Sequence, residues 1–149
     1  MFLSYIRKLN REEIITYLKC MATVAAVDGD VHEKEREYFT KFMNILNLDD
    51  SVKVEILDYF NHPPELRSML PKIKNPHLKM LILQDAYMMA YIDGDFHAKE
   101  SRAIKDIIKL LEIKDNQADR VAEWAKEGVQ WHNRGEKLLQ DSVFYERIY

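Results

Sequence analysis

Glycine and proline are scarce in this chain of 149 residues, four of each, and cysteine occurs once. So few breakers leave little room for hairpins. The Leu, Ile, Met, Ala, Lys and Glu that fill the chain instead favour helices with short connections, and no convincing pair of strands can be read. One thiol excludes an internal disulfide. Cys20 lies in the apolar run LKCMATVAAV, where it reads as a small buried hydrophobe rather than a nucleophile. No stretch approaches the ~18 apolar residues of a membrane span, and the opening MFLSYIRKLN has no long apolar segment ahead of its charges. An excess of either charge is missing too: 22 basic residues stand against 25 acidic ones, a formal net charge of -3. With no Lys/Arg run, nucleic acid is not an expected partner. The chain also lacks a phosphate-binding glycine loop, a Gly-x-Ser-x-Gly elbow and a CxxC pair, so it shows no machinery for nucleophilic catalysis. These absences lead to the expectation of one soluble, cytoplasmic, all-α domain, long enough to bury roughly 70% of the surface its unfolded chain exposes.

What is present is a phrase written twice. DGDVHEKE at residues 28–35 returns as DGDFHAKE at residues 93–100, with six of the eight letters identical. The 65-residue offset between them also lays Asn10 on Asn75, Ala25 on Ala90, Leu46 on Leu111, Asp50 on Asp115 and Ile56 on Val121. Two helical repeats follow, about residues 10–60 and 75–125. In the first, Ile14, Ile15, Leu18, Met21, Ala22 and Ala25 recur at helical spacing, and Asn10 with Glu13 forms a capping box, so a helix is expected over about 11–27. Its counterpart opens after Asn75 with Pro76 at the first helical position and is expected over about 76–92. In each copy an acidic turn and a second helix follow, then a third helix opening at an Asp cap, Asp50 or Asp115. Between the copies, NHPPELRSMLPKIKNP is punctuated by proline, with a short helix in PELRSML. The tail, with Trp131 and SVFYERIY, is assigned to a final helix at about 136–148 packed across the bundle; an exposed aromatic patch for a partner is the alternative.

The repeated turn has a plain explanation. A helix that reverses within a few residues needs a residue tolerant of positive φ just past its end, which Gly29 and Gly94 supply. Acidic residues suit a helix start, and Glu35 stands three residues after His32 as the second half of a capping box would. Histidine fits this account poorly, because a cap position favours Ser, Thr, Asp or Asn. His32 and His97 are two of only five histidines, and each shares a helix face with a glutamate three residues on, Glu35 or Glu100. Asp28 and Asp30, and in the second copy Asp93 and Asp95, can fold back toward them. If the copies pack about a pseudo-twofold axis with their turns adjacent, the carboxylates meet and raise one another's pKa. Such a cluster recruits a cation, takes up protons, or pairs with Lys34 and Lys99. The candidate metal ligands are therefore Asp28, Asp30, His32, Glu35, Asp93, Asp95, His97 and Glu100. Imidazole among them favours zinc or manganese over calcium. The spacing is not that of an EF-hand, whose glycine is sixth and whose glutamate is twelfth, and the order His-x-x-Glu reverses that of ferritin-like sites.

The segments AAVDGDVHEKE and MAYIDGDFHAKE resemble the small-Ala-x-Asp-Gly-x-(Ile/Val)-x-x-x-Glu signature of the TerB-like family, named for tellurite resistance. The likeness covers roughly residues 10–113. It implies a bundle of about seven helices with internal pseudo-symmetry and a cytoplasmic, non-catalytic role in metal or chemical stress, as an acidic metal-sensing or scaffold module among other proteins of a stress-response complex. By the same resemblance Asp28, Glu35, Asp93 and Glu100 form the acidic cluster. The histidines depart from the small hydroxyl residue more usual there, which means either another metal preference or tolerated variation at a cap. Two further classes stand beside this one: a protein-interaction module whose turns are purely structural and whose surface includes Trp131, and a metal-dependent enzyme, for which no separate base or substrate pocket can be named.

Overall fold

The computed structural model describes residues 3–26, 33–92 and 98–148, and every regular element among them is helical, as expected. The helices are α1 (Leu3–Ile6), α2 (Arg11–Ala26), α3 (Glu33–Ile45), α4 (Asp50–Asn61), α5 (Leu66–Met69), α6 (Pro76–Ile92), α7 (Ala98–Leu110) and α8 (Asp115–Ile148), with a 3-10 turn at Leu70–Lys72. Eight helices thus stand where the resemblance implied about seven. The four-residue α1 is absent from the sequence reading, and the separate final helix of that reading is part of α8.

Helix starts follow their sequence signals with two shifts, at α4 and at α8. At α2 the backbone N–H of Glu13 donates to Asn10 Oδ1 at 2.8 Å and that of Asn10 donates to Glu13 Oε1 at 3.1 Å, closing the expected box. At α6 the N–H of His77 donates to Asn75 Oδ1 at 2.9 Å. Asp50 and Asp115, however, lie inside α4 and α8 rather than capping them; at α8 the Lys114 carbonyl accepts from the N–H groups of Gln117 and Ala118. Asp49 holds the N-cap position of α4 with extended backbone, and its carboxylate accepts from Arg11 Nη2 at 2.7 Å instead of from a helix N–H.

Helix stops show a recurrence of their own. Asn47 and Glu112 are the non-glycine residues with positive φ among those described, at 53° and 56°, and they lie 65 positions apart. Each ends a helix in the same way. Leu48 N–H donates to the Met43 carbonyl and Asn47 N–H to that of Asn44; Ile113 N–H donates to Ile108 and Glu112 N–H to Lys109. These are Schellman closures, in which a left-handed residue lets the chain satisfy its last carbonyls while a following apolar residue turns back to the helix. Leu48 and Ile113 are that residue, and both are buried.

Helix α6 occupies the centre, packed against α2, α7 and α8. Leu78, Leu81, Ile82, Leu83, Ala86, Tyr87 and Ala90 bury more than one of its faces, as a helix apolar nearly all round must. Helix α2 is clamped between α6 and α4: Lys19 Nζ reaches Glu55 at 2.6 Å and lies over the Tyr59 ring at 5.6 Å. Phe39 meets Phe60 edge-on at 4.9 Å, tying α3 to α4. Among the described residues no helix is long and apolar enough to cross a membrane.

Helix α8 departs from the sequence reading. Instead of a third repeat helix followed by another laid across the bundle, one helix runs for 34 residues, and each residue from 130 to 141 is exposed. No proline follows Pro76, and Gly128 and Gly135 cost only about 1 kcal/mol each relative to alanine, too little to break a long helix.

Candidate functional site

The two acidic phrases fall at equivalent junctions. The first lies between the end of α2 at Ala26 and the first turn of α3, and the second between the end of α6 at Ile92 and the first turn of α7. Asp28, Asp30, His32, Asp93, Asp95 and His97 lie outside the described residues. Glu35 and Glu100 fall in the first turns of α3 and α7, where a carboxylate is favoured by the helix dipole, but their side chains lie outside the description. As a donor set these eight residues offer carboxylate oxygen and imidazole nitrogen, which suits a divalent transition metal.

The other three histidines have different engagements. His62 Nδ1 lies 3.1 Å from Asp58 Oδ1, His132 Nε2 lies 3.3 Å from Glu136 Oε1, and His77 Nε2 lies 3.0 Å from the Tyr5 carbonyl. Among the described residues no group of three or more His, Cys, Asp or Glu is arranged to hold a metal ion.

The helices that lead into the two turns are joined by polar contacts. At their starts the Asn75 side-chain amide donates to Glu13 Oε2, so the cap of α6 is held by the capping glutamate of α2. That hydrogen bond first, then the one from the Asn10 backbone, holds the Glu13 carboxyl below the usual carboxylate range. Further along, the Tyr17 hydroxyl of α2 donates to Asp85 Oδ2 of α6, with Tyr17 fully buried and Asp85 3% exposed. Burial pushes the Asp85 carboxyl up to about 6. The sequence reading passed over Asp85, although a signal was there: it is the one charged residue between Leu81 and Tyr91 of an otherwise apolar helix face. Cys20, one turn beyond Tyr17, is buried and its thiol is pushed up to about 12, which leaves it unionised and agrees with a purely packing role.

A second feature lies on α8. Tyr5, Met88, Trp124, Gly128 and Trp131 help to line an open groove of about 690 Å³ where this helix leaves the bundle. Trp131 is 73% exposed there, and Leu138 and Leu139, two turns on, are 71% and 70% exposed. Of the tail aromatics in the alternative reading, Trp131 is thus on the surface, whereas the side chains of SVFYERIY lie outside the description.

No family model matches the chain, and neither a curated protein nor a solved structure is significantly similar to it.

Proposed function

We propose that the chain is a non-enzymatic, TerB-like helical module that binds a divalent cation, zinc or manganese before calcium, through its two acidic Asp-Gly turns, acting in stress response or as a scaffold in the cytoplasm. The observation that carries this reading is the position of the repeated phrase. Both copies join a long helix to a second helix, and these second helices end at the same 65-residue spacing, at Ile45 and Leu110. The long helices are tied together through Glu13–Asn75 and Tyr17–Asp85. Two internally pseudo-symmetric repeats would bring the turns together, pooling carboxylates that a cation relieves of mutual repulsion. Metal analysis of protein purified without affinity tag or chelator tests it: stoichiometric zinc or manganese is expected, and metal-free protein that also fails to take up either ion on titration would sink the proposal.

A second reading is favoured by the exposed Trp131, Leu138 and Leu139: a protein-interaction module in which the acidic turns are structural and α8 makes the contacts. Truncation of large apolar side chains on α8 would then abolish binding to a partner while metal content stays unchanged.

A further inference from the structure

Helix α8 outruns the bundle. Its first half buries Ala118, Val121, Ala125 and Val129, whereas each residue from 130 to 141 is exposed. A single exposed leucine requires no explanation, but a stripe of large apolar residues does. Trp131 and Leu138 stand seven residues apart on one face, with Leu139 on one flank of it. Gly135 lies between them, in a helix interior where glycine is about 1 kcal/mol worse than alanine. Among the described residues nothing lies within 4 Å of the position its Cβ would take, so no contact described in the chain accounts for the glycine, whereas close approach of another helix would. Arg134 and Asp141 share the other flank, also seven residues apart, about 10 Å along the axis.

We propose that the outer part of α8 pairs antiparallel with the same segment of a second copy of this chain, about a twofold axis between residues 137 and 138. The argument for the occupant is charge. In an antiparallel pair like flanks face each other, and a twofold contact makes every pairing twice. This axis sets Arg134 against the partner's Asp141 and Asp141 against the partner's Arg134, on either side of a seam where the two Leu138 residues meet over Gly135. A parallel pair would face opposite flanks, placing Arg134 across from Leu139 and leaving it without an ion pair.

The same axis explains the groove. It carries the partner's helix at residues 144–148 to the level of residues 127–131, beside the groove that Tyr5, Met88, Trp124 and Trp131 line together with Glu127 and Arg134. That extends a contact which, at about 28 Å of helix, is short for a stable two-stranded coil. The proposal rests on the second of the two readings above and needs no metal.

Sedimentation velocity on the full chain, in chelator and from micromolar to sub-millimolar concentration, tests it. The parent is expected to be a dimer and Leu138→Glu a monomer with unchanged helical circular dichroism, since the residue is exposed. Arg134→Asp and Asp141→Arg alone should each raise the dissociation constant roughly ten-fold, and mixing the two should restore a heterodimer near parental strength because each copy then supplies the charge the other lost. A parent that stays monomeric throughout, a dimer indifferent to Leu138→Glu, or a mixture no tighter than either variant alone would overturn the proposal. So would a dimer that appears only on adding zinc. Metal content unchanged in Leu138→Glu separates this result from the fate of the cation reading.

Discussion

Asp85 is the residue at which burial and charge conflict most openly. Its carboxyl ordinarily ionises near 3.8; in the fold it does so at about 6 because burial penalises the charged form, even with the Tyr17 hydroxyl donating to it. The folded protein therefore holds a proton that the unfolded chain releases, and between about pH 4 and pH 6 the contribution of Asp85 to stability falls as pH rises, by about 3 kcal/mol across the interval. The contribution is full below the unfolded value and is lost once pH passes the folded one. Asp85→Asn should flatten this part of the stability–pH curve, since asparagine still accepts from Tyr17 but does not ionise. Tyr17→Phe should do the reverse at pH 7, destabilising by about 1–3 kcal/mol because it leaves a buried carboxylate without its donor. Urea melts of parent and both variants from pH 4 to 7.5 check the pair; a parental slope persisting in Asp85→Asn would remove Asp85 as its source.

At the scale of elements, the helix starts were legible in the sequence and some of the stops were not. Asn10, Glu13, Asn75 and Pro76 announce α2 and α6 because capping chemistry is local and specific to residue type. The stops at Asn47 and Glu112 give no such notice: a Schellman closure usually shows itself by glycine, and glutamate in a left-handed conformation costs about 1–2 kcal/mol that only the surrounding fold can hold in place. Glu112→Gly should remove that strain while adding unfolded-state entropy, for a net gain of about 0.5–1 kcal/mol; Asn47→Gly should gain less because asparagine tolerates the conformation. Thermal melts rank the two, and a destabilised Glu112→Gly would show that its side chain makes contacts that outweigh the strain. The long course of α8 was illegible for a related reason. The heptad stripe through Trp131 and Leu138 has the same spacing whether it is buried across a bundle or left in solvent, so periodicity alone could not say where that helix lies.

At the scale of the whole molecule, cation binding by the acidic turns, as proposed, would be linked to stability. A ligand that binds only the folded state adds RT ln(1 + [L]/Kd), about 2.7 kcal/mol when free metal is a hundred times Kd. For a chain of this size each kcal/mol moves the melting midpoint by about 2–4 °C, so saturating zinc or manganese should raise it by about 5–11 °C. Asp28→Asn or Asp93→Asn should abolish most of the increment, yet without metal the same substitutions should be neutral or mildly stabilising, since removing one charge from a carboxylate cluster relieves repulsion. Replacing His32 and His97 together with serine discriminates further: serine is a good cap, so the metal-free melting point should hold or rise while zinc affinity drops, and undiminished zinc binding would reduce both histidines to caps. If the turns are purely structural the whole pattern inverts. The parental midpoint then ignores metal and chelator alike, and each aspartate substitution costs only what a turn contact costs. Melting curves of parent and Asp28→Asn, first in chelator and then with each cation, decide the matter, and a parent indifferent to every cation ends the metal hypothesis.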